Sequence, residues 1–393
     1  MLFEIIGIGN KKFEPAKQQL ELIQKHRVFS GGQRHYELVK HLLPHEHEWI
    51  LIKAPLESLF ESYQNTDETI LVFASGDPLF YGISNTLQTK YPGAQINTYP
   101  YFNAIQLLIH RININSNQLK TISVHGRSWQ ALDEVLIQQE SLIGVLTDAE
   151  KSPPAIAKRL LDYGYDNYSI CIGEDLEGEH EQVRQMDLRE ASLQIFHPLN
   201  CVILQKKAHR DISFGVEDDL FEGLSGRPNM ITKMPVRLCT LHALALQSKT
   251  VLYDIGFCTG SLSIEAKLRF PQLVVHAFEK RTECMQLMQN NRRKFGAVGI
   301  NVHLGDIFEF DFTSINKPDA VFIGGHGGRL NELMHKIDQY ISTGGIIVMN
   351  AVQQNSIDEF IATATALNWK LIEPLKLKVN SHNEITILKA IKN

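Results

Sequence analysis

The stretch that decides the fold of the second half of the chain is Val251-Leu252-Tyr253-Asp254-Ile255-Gly256-Phe257-Cys258-Thr259-Gly260-Ser261. An apolar run that ends near an aspartate and enters a loop with two glycines is typical of a β-strand followed by a helix. Glycine lets the backbone turn tightly there and lets a ligand approach the N-terminus of the helix. The stretch therefore predicts a strand–loop–helix unit, with the helix over Leu262 to Arg269.

Three interpretations of this loop remain open on spacing alone. A nicotinamide or flavin dinucleotide site requires G-x-G-x-x-G, and Cys258 occupies the position of its second glycine. The carboxylate of Asp254 is unfavourable beside a pyrophosphate but suits the sulfonium and ammonium groups of S-adenosylmethionine. Glu279, 23 residues after Gly256, can accept hydrogen bonds from two ribose hydroxyls, which favours a ligand site over a turn that serves packing alone. The third interpretation is an ordinary β–α turn whose glycines serve packing.

Outward from this loop, short apolar runs alternate with helical segments through the C-terminal half. The predicted strands cover residues 251–254, 273–278, 301–304, 320–323, 346–350, 370–379 and 384–390. A helix over Glu283 to Phe295 is predicted to end at Gly296. The alternation predicts a parallel sheet covered by helices, and the hairpin-like connection at 380–383 predicts an antiparallel end. We therefore expect a seven-stranded α/β sheet.

The first half of the chain shows the same alternation and is also predicted to be α/β. Its predicted strands cover residues 4–8, 70–73, 121–124, 142–146, 168–172 and 201–204. Its predicted helices cover residues 56–63, 105–110 and 155–163.

Length and composition predict a two-domain globular protein of the cytoplasm. The chain has 393 residues, of which 44% are hydrophobic and 21% charged. No run approaches the roughly 18 apolar residues that span a bilayer, and the N-terminus lacks a basic region and cleavage site typical of secretion. Five cysteines without a CxxC pair favour reduced thiols.

Charge is divided unevenly between the two halves. Residues 1–206 hold 18 Lys and Arg against 25 Asp and Glu, a net charge of −7, whereas residues 207–393 have a net charge of +2. The charged and then Gly/Ser-rich stretch 207–225 has the composition of a linker, so we expect domains at 1–206 and 226–393. The overall charge of −5 disfavours nucleic-acid or anionic-membrane partners, and any polyanionic ligand must be held by local basic groups.

Motifs on both sides of the loop give the chain a resemblance to a known family. Segments 226–228, 231–237, 319–325 and 350–352 resemble the decarboxylating precorrin methyltransferases of cobalamin biosynthesis. Segments 7–9, 29–35, 146–148, 173–176 and above all Ala74-Ser75-Gly76-Asp77-Pro78-Leu79-Phe80-Tyr81-Gly82 resemble the precorrin C5-methylating branch of the tetrapyrrole methylases. In this order on one chain, the two sets resemble the fused precorrin-6Y C5,15-methyltransferases.

The resemblance implies a fold, an activity and partners. It implies a tetrapyrrole-methylase-like α/β domain at 1–206 that methylates C5 of a reduced corrin-type macrocycle. It implies a Rossmann-like domain at 226–393 that methylates C15 and decarboxylates the C12 acetate. The donor is S-adenosylmethionine, and the substrate is a polycarboxylate tetrapyrrole, a precorrin or its cobalt form. We also expect a homo-oligomer and no bound metal, because no metal-ligand spacing appears.

Candidate site residues follow from the spacing and the resemblance together. The expected donor-binding residues are Thr232, Asp254, Gly256, Phe257, Cys258, Thr259, Gly260, Glu279, Asp306 and Ile307 in the second domain, and Gly76 and Asp77 in the first. Candidate clamps for substrate carboxylates are Arg227, Lys233 and Arg237, and His326 is a candidate proton carrier near neutral pH. Each also has a structural alternative. The three clamp candidates can be solvated surface charges, His326 can be an ordinary loop residue, and Asp77 can serve only to stabilise its turn.

Departures from the family pattern keep alternatives open. Cys258 and Pro235 stand where relatives usually carry glycine and glutamate, and segments 10–12 and 102–104 differ from the usual turn and pocket sequences. The alternatives are a chain with one active half, a dinucleotide-binding oxidoreductase, and a non-catalytic tetrapyrrole-binding protein.

Overall fold

The computed structural model describes residues 1–211, 214–227 and 230–393. These residues form two compact units. The first unit contains Met1–Arg127, Ser141–Lys158 and Tyr168–Lys207, and the second contains Ser128–Glu140, Arg159–Asn167 and Ala208–Asn393. A single boundary near residue 206 does not capture the two short segments that join the second unit. Pro228 of the 226–228 motif, and residues 212 and 213 of the expected linker, lie outside the described residues.

The described part of the first unit contains two five-stranded sheets. The strands of the first sheet are β1 (Leu2–Ile8), β2 (Val28–Gly31), β3 (Glu48–Leu51), β4 (Ile70–Ser75) and β5 (Gln95–Tyr99). They are all parallel, in the order β3-β2-β4-β1-β5. The accompanying helices are α1 (Lys17–Lys25), α2 (Gln33–Val39), α3 (Glu57–Gln64) and α4 (Ile83–Lys90). β1 and β4 are nearly continuous apolar runs because central parallel strands bury both faces.

The second sheet is mixed. Its strands are β6 (Leu119–Ser123), β7 (Leu142–Leu146), β8 (Tyr168–Glu174), β9 (Gln182–Met186) and β10 (Asn200–Lys206). The order is β6-β7-β10-β8-β9, with β10 antiparallel to both of its neighbours and β9 antiparallel to β8. The helices in this stretch of sequence are α5 (Ala104–Ile112), α6 (Gln130–Ile137), α7 (Pro153–Asp162) and α8 (Leu188–Ala191).

The predicted α/β class of this half is confirmed, and each of its predicted strands corresponds to an observed one. Four strands escaped prediction. β2 and β3 have only four residues each, and β5 and β9 lie at sheet edges with partly exposed, polar sequences. Short or edge strands lack the apolar run on which the prediction depended.

The second unit is built on a seven-stranded sheet in the described residues. Its strands are β11 (Val251–Ile255), β12 (Val274–Glu279), β13 (Ile300–Leu304), β14 (Ala320–Ile323), β15 (Ile346–Ala351), β16 (Lys370–Leu377) and β17 (Ile385–Ile391). The order is β13-β12-β11-β14-β15-β17-β16, with β17 antiparallel to β15 and to β16. The helices are α9 (Met234–Leu244), α10 (Ser261–Arg269), α11 (Cys284–Phe295), α12 (Leu330–Asp338) and α13 (Gln354–Ala366). The predicted seven strands with an antiparallel end are confirmed.

The strand order reverses between β11 and β14, and this reversal positions the site. From β11 the chain continues outward through β12 and β13, then returns to β14 on the other side. Open α/β sheets bind ligands at the carboxyl ends of their strands beside such a reversal. The 254–261 loop, the end of β12 and the 324–328 loop meet at that edge. No helix within the described ranges is both long and apolar enough to cross a membrane.

Candidate functional site

The glycine loop after β11 has a backbone that its glycines make possible. Gly256 and Gly260 have φ angles of +80° and +77°, a region that other residues rarely adopt. A Cβ at Gly256 would lie only 2.8 Å from the backbone nitrogen of Gly325, so the two loops approach too closely for a side chain. Cys258 also has a positive φ of 50° and is held there, because its N–H donates to Glu279 Oε2 at 3.2 Å. Cys258 therefore adopts the left-handed backbone conformation that a glycine at this position would also adopt.

Asp254, the penultimate residue of β11, is a buried carboxylate with one unpaired oxygen. The side chain of Ser263 donates to its Oδ2 at 2.5 Å, while Oδ1 is buried and has no partner among the described residues. Burial raises the pKa of Asp254 to about 7; hydrogen bonds from Ser263 act in the opposite direction, and the charge of Glu279 adds to the rise. A buried acceptor without a donor, beside an open cavity, is suited to a cationic ligand.

A cavity of about 710 Å³ opens in front of Asp254. This volume is typical of small-molecule sites. The expected donor-binding residues that line it are Thr232, Asp254, Gly256, Phe257, Cys258, Thr259, Glu279, Asp306 and Ile307. Gly260 shapes the loop through its φ angle but is absent from the cavity wall. The structure thus brings together residues from the ends of β11, β12 and β13.

Glu279 is occupied by a neighbour that the sequence analysis did not anticipate. Arg281 donates from Nε to Oε1 at 3.0 Å and from Nη2 to Oε2 at 2.7 Å. The backbone N–H groups of Lys280 and Arg281 also donate to Oε1, at 3.0 and 3.1 Å. Burial acts to raise the pKa of Glu279, but the hydrogen bonds and charge of Arg281 outweigh it and the pKa is lowered. Glu279 is therefore ionised, with its oxygens largely used by the protein itself.

The expectation that Arg237 clamps a substrate carboxylate requires correction. Arg237 is fully buried in α9 and does not line the cavity. Its guanidinium donates to Glu265 at 3.2 Å, to Asp218 at 3.2 Å, to the Thr232 carbonyl at 2.9 Å and to the Val216 carbonyl. These contacts use its donors within the fold, so Arg237 is a structural residue and is left out of the proposed site.

Other basic residues do line the cavity. Lys233 and Arg227 lie on its wall as expected, and Lys280 and Arg329 join them. Neither Lys233 nor Lys280 forms an ion pair with any residue that the structure describes. Arg329 is engaged, since it lies 3.5 Å from the centre of the Phe308 ring and donates to Glu332. Arg227 has no ion pair in the described ranges either, and its Nη1 contacts Met230 Sδ at 3.8 Å. Lys233, Lys280 and Arg227 therefore present the available positive charge.

His326 lies in the glycine-rich loop that follows β14. Its ring lines the cavity, and its Nδ1 is buried without a hydrogen-bond partner in the described part of the chain. A buried ring nitrogen without a partner costs free energy unless a ligand or water satisfies it. His326 is thus a residue of the cavity wall with one ring nitrogen that no described group satisfies.

The first unit has a second cavity, of about 730 Å³, at the carboxyl ends of β1 and β4. Gly76 lines it with a φ of +63°, and a Cβ there would lie 2.9 Å from Asn103 Cα. Asp77 is absent from the wall; its Oδ1 accepts from the Leu79 N–H at 2.9 Å, which stabilises the turn. Of the two expected residues of this half, Gly76 therefore lines the cavity and Asp77 does not.

Comparison with known proteins finds similarity along most of the chain. The family described as "Precorrin methyltransferase domain" matches residues 226–391. A precorrin-6Y C(5,15)-methyltransferase (decarboxylating) from Sinorhizobium sp. is 31% identical over 356 residues, which cover 88% of this chain and 84% of that protein.

Two shorter relatives come from Salmonella typhimurium. A cobalt-precorrin-6B C(15)-methyltransferase (decarboxylating) is 34% identical over 166 residues, covering 42% of this chain and 84% of that protein. A cobalt-precorrin-7 C(5)-methyltransferase is 27% identical over 209 residues, covering 52% of this chain and 98% of that protein.

Proposed function

The chain belongs to the family of decarboxylating precorrin-6Y C5,15-methyltransferases, and we propose that it methylates precorrin-6Y or its cobalt form at C5 and C15 and releases one carboxyl group as carbon dioxide, in cobalamin biosynthesis. The observation that carries this proposal is the unpaired Oδ1 of Asp254, buried at the wall of a cavity that also presents unpaired lysines. One carboxylate suits a cationic methyl donor, and the lysines suit an anionic macrocycle.

We place S-adenosylmethionine in the cavity of the second unit because the residues there fit its chemistry. The free oxygen of Asp254 is an acceptor for a cationic group, and Gly256 leaves the backbone open to a close approach. Glu279 is positioned for ribose hydroxyls, and Asp306 and Ile307 follow β13 on the adjoining wall. When bound, the donor supplies a methyl group already activated on a sulfonium.

Methyl transfer from sulfur to carbon then needs alignment and exclusion of water more than acid–base chemistry. The protein contributes a shaped cavity that holds the acceptor carbon in line with the methyl group. Lys233 and Lys280 bind peripheral carboxylates of the macrocycle, since an ammonium group beside a carboxylate forms a charge-assisted hydrogen bond. Carbon dioxide leaves from the C12 acetate, and the electrons of the broken carbon–carbon bond enter the conjugated ring. His326 then supplies the proton that the methylene carbon of the former acetate needs to become a methyl group.

The similarity favours this function over the alternatives that the sequence left open. The match to the Sinorhizobium protein covers 88% of the chain, more than either unit alone accounts for, which favours two working halves. A dinucleotide would place its pyrophosphate near the buried Asp254, and this disfavours an oxidoreductase.

We assign C5 methylation to the cavity of the first unit and the other two reactions to the second. The similarity to separate C(5)- and C(15)-methyltransferases of Salmonella typhimurium supports this division. A cytoplasmic location and a homo-oligomeric state remain predictions, which fractionation and light scattering of the full chain would test.

Release of carbon dioxide by the full chain tests the proposal. With S-adenosylmethionine and precorrin-6Y, the parent should release carbon dioxide, and Lys233→Met and Lys280→Met should each raise the Michaelis constant for the precorrin about tenfold. Lys317→Met is a matched control because Lys317 is exposed and absent from the cavity wall. Release that requires no methyl donor or no precorrin would contradict the proposal.

A further inference from the structure

Arg34, His35 and Ser75 form a hydrogen-bonded cluster on the wall of the first unit's cavity. Nη2 of Arg34 donates to Ser75 Oγ at 2.6 Å, and Nε2 of His35 lies 2.9 Å from the same oxygen. β2 and β4 are neighbouring parallel strands, so the first turn of α2 lies beside Ser75 at the end of β4. This cluster contains neither Gly76 nor Asp77, the two residues of this half that are expected to bind the donor.

The tautomer of His35 follows from its second ring nitrogen. The backbone N–H of Gly32 donates to Nδ1 at 3.1 Å, so Nδ1 carries a lone pair and no proton. Burial, together with the charge of Arg34, lowers the pKa of His35 to about 4, so the ring is neutral at physiological pH. A neutral ring with a bare Nδ1 carries its proton on Nε2. His35 therefore donates to Ser75.

Ser75 has one hydrogen-bonding group that no described residue uses, the hydrogen of its hydroxyl. A hydroxyl has two acceptor lone pairs and one donor hydrogen, and Arg34 and His35 occupy both lone pairs. Ser75 is exposed at the cavity, and its hydrogen has no acceptor among the residues described. Arg34 uses one further N–H on Asn10 Oδ1, which leaves several of its five donors open. The cluster therefore offers hydrogen-bond donors and no acceptor.

Further basic side chains lie on the rest of the cavity wall. Arg127 and His125 also line it, and Asp148 is its one acidic side chain among the described residues. Asp148 is already satisfied, because backbone N–H groups of Gly126, Glu150 and Lys151 donate to it at 2.9, 3.0 and 2.6 Å. Residues 1–206 have a net charge of −7, so this basic wall runs against the composition of its half.

We propose that Arg34 and Ser75 bind a carboxylate in the first unit's cavity and that His35 is a positioning residue that directs the Ser75 hydroxyl toward it. A set of donors beside a planar guanidinium matches the acceptor-only chemistry of a carboxylate. Two ligands of the proposed reaction carry that group: the macrocycle, on its acetate and propionate side chains, and the methyl donor, on its methionine end. The inference rests on the proposed C5 methylation by this unit.

The full chain carrying Ser75→Ala tests the proposal. Loss of a hydrogen bond to a charged group is expected to weaken binding of the carboxylate-bearing ligand about tenfold or more. If the ligand is the macrocycle, the Michaelis constant for precorrin-6Y in C5 methylation rises while C15 methylation is unchanged. If it is the methyl donor, calorimetry shows weaker binding of S-adenosylmethionine and unchanged binding of its decarboxylated analogue. Ser62→Ala is the control, since Ser62 is an exposed serine of α3 that donates to the Ser58 carbonyl.

Variants of His35 separate positioning from packing. Glutamine can donate from its amide nitrogen to Ser75 and accept from Gly32, so His35→Gln should retain most of the affinity. His35→Phe fills the volume without polar atoms and should reproduce the loss seen with Ser75→Ala while kcat changes little. Equal effects of the two variants would indicate packing alone and overturn the positioning role.

Unchanged affinities in Ser75→Ala and Arg34→Met for precorrin-6Y and for S-adenosylmethionine would overturn the carboxylate subsite. Failure of the parent to methylate C5 would instead contradict the proposed function of this unit. Calorimetric titration of parent and variants with precorrin-6Y and with S-adenosylmethionine distinguishes the two failures, because it requires no turnover.

Discussion

Asp254 connects donor binding to pH through one buried carboxylate. Its pKa is raised to about 7 by burial, so the group is neutral below that pH and loses its attraction for a cation. Donor affinity at the second unit should therefore fall by up to about tenfold for each pH unit below 7. Calorimetry on the full chain from acid to alkaline pH measures this, and Asp254→Asn should give a flat profile. A flat profile in the parent would contradict the role of Asp254.

The same carboxylate makes the folded protein less stable as pH rises, whereas it makes donor binding stronger. Because its folded pKa lies above the ordinary value of 3.8, the folded state binds more protons than the unfolded state between these pH values. Stability from this group is therefore lost as pH rises toward 7 and beyond. Asp254→Asn should raise the melting temperature of the full chain at alkaline pH and have little effect at about pH 4. A lower melting temperature at alkaline pH would be inconsistent with an uncompensated buried charge.

Arg281 and a ribose compete for the same carboxylate. Oε1 of Glu279 already accepts three hydrogen bonds, one of them from the Arg281 side chain. Arg281 is partly exposed, so its pairing contributes about 1 kcal/mol or less. Arg281→Ala should therefore tighten S-adenosylmethionine binding up to about fivefold, whereas Glu279→Ala should weaken it about tenfold or more. Weaker binding in Arg281→Ala would mean that the arginine itself holds the donor.

At the scale of elements, α9 carries a buried arginine that ties its N-terminal turns to the surrounding fold. Removing one partner of a buried ion pair costs about 3–5 kcal/mol, because the remaining charges are left without compensation. Arg237→Met should therefore lower the melting temperature strongly by stranding Glu265, and Lys233→Met should leave it unchanged. Thermal unfolding of both variants, beside the precorrin Michaelis constant, separates the two roles. A stable Arg237→Met with a raised Michaelis constant would restore Arg237 to the site.

The elements that the sequence predicted well are strands whose consecutive residues are nearly all buried. β11, β12, β14 and β15 are mostly apolar and buried on both faces, and their predicted bounds lie within one residue of the observed ones. The glycine loop was predictable because its φ angles require glycine. The role of Arg237 is not predictable from its charge, because charged side chains are usually exposed, whereas Arg237 lies on the buried face of α9 with Val236, Thr240, Leu241 and Leu244. The hydrogen bonds from Arg281 to Glu279 could not be predicted, because they depend on side-chain geometry that the spacing of residues in the sequence does not define.

At the scale of the whole molecule, the two units should fail independently. A side chain at Gly76 would collide with Asn103, and one at Gly256 would collide with Gly325. Gly76→Val should therefore abolish C5 methylation alone, and Gly256→Val should abolish C15 methylation together with carbon dioxide release. Gly93→Ala is the control, because a Cβ there meets no atom within 4 Å. Loss of every reaction in either glycine variant, in a folded protein, would contradict the division of labour.

The central claim is that one chain methylates two ring carbons and decarboxylates one side chain. The most direct test is mass spectrometry and NMR of the product formed by the full chain from precorrin-6Y and S-adenosylmethionine labelled with carbon-13 in the methyl group. The account predicts a product that has gained two labelled methyl groups, on C5 and C15, and has lost the C12 carboxyl group as carbon dioxide. A product with one methyl group, or with both methyl groups and an intact acetate, would contradict it.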